Sequence, residues 1–159
     1  MTSEGLTIDA IENRADAIVA APDSELAPNA KALAAELLSM SEVIVETWLE
    51  AKGQAPTQDK HEGFRLIALH RQAAKGNPSF NACRETCREA VYHHNLILHD
   101  PAAGDIARTI RVGAMVVRHL ALFIGGKLQA DGLGEFCCSS RPIRQADAIK
   151  PETAGAMEA

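Results

Sequence analysis

Residues 78–99, PSFNACRETCREAVYHHNLILH, decide how this chain folds. Read at about 3.6 residues per turn, Phe80, Cys83, Cys87, Ala90, His94, Ile97 and Leu98 share one face, and Arg84, Arg88, Asn95 and His99 another. Apolar residues recurring three and four apart mark an amphipathic helix. Gly76-Asn77-Pro78 precedes it, Gly suiting the left-handed position after one helix and Pro the first turn of the next. Asp100-Pro101 closes it.

Toward the N-terminus, the spacing predicts a helix from Lys60 to Lys75, capped by Asp59. Its stripe of Leu66, Leu69, His70 and Ala73 is widened by Phe64, Ile67 and Ala68. The short connection at Gly76 makes this helix and the next antiparallel neighbours. GQAPT at 53–57 has a turn composition. Before it, Ala30, Leu33, Leu37, Met40, Ile44 and Trp48 form a packing seam on a long helix from Leu26 to about Lys52, with Asp23 and Ser24 as its caps. The first helix runs from Thr7, a capping residue facing Ala10, through Ile8, Ile11, Ala15, Ile18 and Val19 to Ala21-Pro22.

Toward the C-terminus, a last long helix is expected from Pro101 to Leu128. Ile106, Ile110, Gly113, Val117, Leu120 and Ile124 make one seam, and Val112, Val116, His119 and Phe123 a second apolar face. Two apolar faces predict a central helix surrounded by the others, with Gly113 marking a close approach of a neighbour. Beyond Phe136 the sequence turns polar and aperiodic. The expectation is therefore an all-α, single-domain bundle of about five helices over residues 1–136, with a flexible C-terminal tail at 137–159. Composition agrees: 47% of the 159 residues are apolar but only 4% aromatic, so the core is built from aliphatic side chains that favour helices.

Sixteen Lys and Arg against twenty-one Asp and Glu give a formal charge of −5, which argues against a nucleic-acid or anionic-membrane partner. MTSEGLTIDAIENRAD at 1–16 has neither the basic nor the apolar region of a secretory signal. Arg118 and His119 interrupt the most apolar run. These features point to a cytoplasmic protein, in which four cysteines are expected as thiols or metal ligands and not as disulfides.

No Gly-rich phosphate loop, G-x-S-x-G or H-E-x-x-H occurs, and Glu62, Glu85 and Glu89 lack the His three residues on that a di-iron bundle uses. A helix-turn-helix around Gly76 fails on helix length and acidic charge. Three candidates remain. Cys83, Cys87 and His94 lie within about 40° on one face, a soft ligand set for a metal or a redox site, which Cys137 and Cys138 would extend. The plain alternative is that these small thiols pack like Ala. Arg84, Arg88, Asn95 and His99, joined by Arg65, Arg71, Arg111 or Arg118, offer paired donors to an anion. The plain alternative there is a solvated face. Apolar surface on two long helices suits contact with a protein partner or a second copy. The leading expectation is a non-enzymatic binding or regulatory module acting through helix faces. A thiol and imidazole metal or redox sensor comes second, and an enzyme or binder for an anionic small molecule third.

Overall fold

Thr7 caps the first helix as its position predicts: its Oγ1 accepts a hydrogen bond from Ala10 N at 3.0 Å, and α1 runs Ile8–Ala20. The computed structural model describes residues 6–75, 77 and 80–132. Among these, five helices exceed nine residues and no strand occurs, so the fold is all-α. Met1–Ile124 forms one compact unit. A second, Gly125–Ala159, is described only through the end of the last helix and Gly132. The expected tail lies outside the described residues.

After Pro22 the chain re-enters helix at once: α2 is the single turn Asp23–Leu26, Ala27–Asn29 is a 3₁₀ turn, and α3 is Ala30–Ala51. The long helix thus begins with its apolar seam at Ala30 and not at Leu26, and neither Asp23 nor Ser24 is its cap. Pro28 has no N–H to give the carbonyl one turn back, which accounts for the tightened turn there. Asn29 compensates by donating to Glu25 O at 2.8 Å.

The seam read on α3 is buried throughout, from Ala30 to Trp48, and Val43, Val45 and Leu49 are buried as well. α3 packs against α1, α4 (Arg65–Ala74) and α5 (Asn81–His99). α3 therefore touches three other helices of the bundle through its buried seam. Trp48 meets Phe80 at 5.1 Å between ring centroids. Each such fully buried large side chain contributes about 1.5–3 kcal/mol by leaving water.

The last helix, α6, runs Ile106–Ala130 and not from Pro101, because residues 101–105 form turns closed onto Asp100 and Ala103 carbonyls. Its seam of Ile106, Ile110, Val117, Leu120 and Ile124 is buried. Its second face is only partly covered: Val112 and His119 are exposed, Val116 and Phe123 are half-buried, and Met115 beside them is 56% exposed. Gly113 does mark a close approach, since a Cβ there would lie 3.3 Å from Leu37 Cδ1 of α3 and 3.5 Å from His93 Cβ of α5. Among the described residues α6 is the one helix long and apolar enough to cross a membrane, and 56% of its most apolar window is buried inside the protein.

The largest departure lies before α4, which begins at Arg65 and not Lys60, without a cap from Asp59. Glu62 and Gly63 have φ of +57° and +87°, left-handed values that an α-helix excludes. They form a tight turn in which His61 and Phe64 exchange backbone hydrogen bonds of 3.0 and 3.1 Å. Residues 54–64 are thereby released to fold back as a loop.

Candidate functional site

That loop is held by side chains from the helices. Gln72 clamps it from both sides of its amide, accepting from Thr57 N and donating to Ala55 O, each at 2.9 Å. Arg65 donates to Thr57 O at 2.9 Å and pairs with Glu46 and, at 3.5 Å, Glu42 on α3. Burial nonetheless raises the Glu42 carboxyl above its usual value, with Arg65 opposing the shift. At the far end Arg88 of α5 grips Glu62 with two hydrogen bonds of 2.9 and 3.0 Å, and this contact holds the Glu62 carboxyl below its usual value.

Between the pinned loop, α4 and the start of α5 opens a cleft of about 820 Å³, within the ~300–1,000 Å³ usual for small-molecule sites. Five Lys and Arg line it (Lys60, Arg71, Lys75, Arg84 and Arg88) against one carboxylate, Asp59. Lys60, Lys75 and Arg84 have no ion-pair partner among the described residues. Arg71 Nη1 lies 3.1 Å from His61 Nε2, which also stands 3.5 Å from the Glu62 carboxylate. The cleft thus concentrates positive charge locally in a protein of net charge −5.

The predicted anion stripe divides. Arg84 and Arg88 line the cleft. Asn95 lies instead in a small pocket of about 200 Å³ with Phe64 and Val91, and His99 stands exposed at the end of α5. Of the further arginines, Arg71 joins the cleft. Arg65 is bound to α3, Arg111 donates to the Val19 and Ala21 carbonyls and pairs with Asp23, and Arg118 pairs with Asp16. Lys60, His61 and Lys75 were missed. Lys75 had a signal, lying one turn after Arg71 and across the predicted hairpin from Arg84. Lys60 and His61 had none while they were read as helix.

Behind the cleft wall lies a second cluster. His70, which lines the cleft, approaches Phe80 O with Nε2 at 2.9 Å, and Cys83 Sγ donates to the same carbonyl at 3.3 Å. His70 and Cys83 thus converge on one oxygen, and Cys87 adjoins Cys83 one turn on. The two thiols are free and buried. A hydrogen bond from Cys87 lowers the Cys83 thiol to about 6 against the opposing effect of burial, and His70 adds to the lowering. The bond to Cys83, then burial, pushes Cys87 well above its ordinary value. Burial works to lower His70, yet its hydrogen bonds with Cys83 and the Phe80 carbonyl outweigh this and raise it. The arrangement sets a thiol made more acidic beside an imidazole made more basic, with a second, less acidic thiol one turn on.

His94 does not join them. Eleven residues separate it from Cys83, a rise of roughly 16 Å along the helix, so a shared face is not a shared place. Its ring meets Phe64 edge-on at 5.8 Å. Among the described residues no group of three or more His, Cys, Asp and Glu side chains stands close enough to hold a metal ion. Cys137 and Cys138 lie outside the described residues. On the outer face of α5, Tyr92, Leu96 and Leu98 are exposed, Leu98 against its expected place in the core stripe.

The chain matches no family model, no curated protein and no solved structure.

Proposed function

We propose that this protein is a small regulatory binding module whose ligand is an oxyanion, a phosphate- or carboxylate-bearing small molecule held in the cleft between the 54–64 loop, α4 and α5. The observation that carries this reading is the lining of five Lys and Arg to one Asp, in a chain whose formal charge is −5. Guanidinium groups on two different elements, Arg71 on α4 and Arg84 on α5, suit paired donation to a planar or tetrahedral anion. Lys75 adds a point charge at the rim. The free, buried thiols fit a reducing, cytoplasmic setting.

Titration calorimetry with pyrophosphate tests it. Binding that weakens with added salt is expected, and Arg84→Glu should reduce the affinity by about tenfold or more, one charge-assisted contact being worth about 1.5–3 kcal/mol. No heat from pyrophosphate or from a dicarboxylate, at low salt and millimolar ligand, ends the reading.

A second reading, contact with another copy of the chain through helix faces, is favoured by Tyr92, Leu96, Leu98, Val112 and Met115, large apolar side chains left exposed on α5 and α6. Light scattering on a sizing column decides it. A dimer that Met115→Glu converts to monomer supports it, and a monomer at tens of micromolar removes it.

A further inference from the structure

The thiol cluster has no part in holding an anion by charge, yet it is built into the wall of the site that would. Cys83 and Cys87 occupy the inner face of the turn of α5 whose outer face presents Arg84 and Arg88 to the cleft. His70 touches both compartments, lining the cleft and sharing the Phe80 carbonyl with Cys83. Cys83 is only 1% exposed, and His70 is the cleft residue that contacts it.

We propose that Cys83 and Cys87 are a peroxide-responsive thiol pair whose disulfide unwinds the first turns of α5 and displaces Arg84 from the cleft, so that oxidation releases the anion. This rests on the cleft being an anion site. Cys83 passes its proton to His70 and attacks one oxygen of the peroxide, the O–O bond breaks, and the departing alkoxide or hydroxide takes that proton back from His70. Cys83 becomes a sulfenic acid, oxidised by two electrons as the peroxide is reduced. Cys87 then gives up its proton and attacks the Cys83 sulfur. The S–S bond forms, the S–O bond breaks, and the hydroxide leaves as water with that proton.

The second step is what couples chemistry to shape. Side chains four apart on a helix stand with Cβ atoms roughly 5–6 Å from each other, whereas a disulfide holds them at about 3.5–4.5 Å. The bond cannot close on an intact turn. Residues 83–87 must leave the helix, and Arg84 lies between the two cysteines.

The experiment uses the full chain, treated with hydrogen peroxide and digested with trypsin. Cleavage after Lys75, Arg84 and Arg88 puts Cys83 in peptide 76–84 and Cys87 in peptide 85–88. The expected result is these two peptides linked, a loss of helical circular dichroism in the intact oxidised protein, and pyrophosphate affinity lowered about tenfold. All three should be reversed by dithiothreitol. In Cys87→Ser, peroxide should leave a dimedone-reactive Cys83, no link and unchanged affinity. Unlinked peptides after oxidation overturn the proposal, as do linked peptides with undiminished pyrophosphate binding. Failure of the reduced protein to bind pyrophosphate sinks the anion reading alone, and the link with its loss of helix then decides the thiol pair independently.

Discussion

The buried face of α3 and the buried face at the start of α5 are equally dry and differ in kind. Along α3, Leu33, Leu37, Met40, Ile44 and Trp48 supply an aliphatic and aromatic seam with no group that titrates. At the start of α5, Phe80, Cys83 and Cys87 lie just as deep, yet Cys87 and His70 lower the Cys83 thiol, and the contact with Cys83 raises the His70 imidazole against burial. Burial of small residues in a helical stripe therefore says that they pack, and says nothing about whether they also react. The difference is made by the second thiol one turn on and by His70 from another helix.

The contrast breaks or sharpens under substitution. Trp48→Ala should cost about 3–5 kcal/mol in urea unfolding, by loss of transfer energy and the cavity left against Phe80. That cost should be the same at pH 5.5 and 8, and a pH-dependent cost would show α3 to be coupled to the thiols. Gly113→Leu thrusts a side chain onto Leu37 of α3 and His93 of α5 and should cost about 1–3 kcal/mol. A variant as stable as the parent would mean that α6 does not approach α3 there.

Cys83→Ala should cost about 1–2 kcal/mol, and here pH decides. The Cys83 thiol is lowered to about 6 in the fold, so between that pH and its ordinary value the native state holds fewer protons than the unfolded chain. Stability from this group is present at pH 8–9 and lost as pH falls through about 6. The mutant's deficit should therefore shrink from pH 8 to pH 5.5, and a flat deficit would reduce Cys83 to packing. Absorbance of the thiolate at 240 nm should show the same step, absent from the variant. Met115→Gln, on the open face of α6, should change monomer stability by no more than about 0.5 kcal/mol.

Much of the fold was legible because helices advertise themselves locally. Thr7, the α3 seam and Gly113 each act within a few residues or through a periodic face. The cleft was not legible, because it depends on Glu62 and Gly63 turning left-handed and on clamps across 15 to 26 residues, Gln72 to Thr57 and Arg88 to Glu62. No periodicity encodes such pairs. The candidate site was half visible: Cys83, Cys87, Arg84 and Arg88 were singled out, but angular reading joined His94 to the thiols and ignored the rise that separates them. Their actual partner, His70, had been assigned to the core stripe of another helix. The second apolar face of α6 was read as buried because hydropathy records what a face tolerates and not what covers it.

Trp48 is the chain's one tryptophan, and it sits at 1% exposure against Phe80, the residue whose carbonyl His70 and Cys83 share. The protein thus carries its own optical gauge at the start of α5. Its emission should be blue-shifted while that first turn is wound, and it should redden and become accessible to acrylamide when Phe80 withdraws, so the state of the cleft wall can be read in solution without a label.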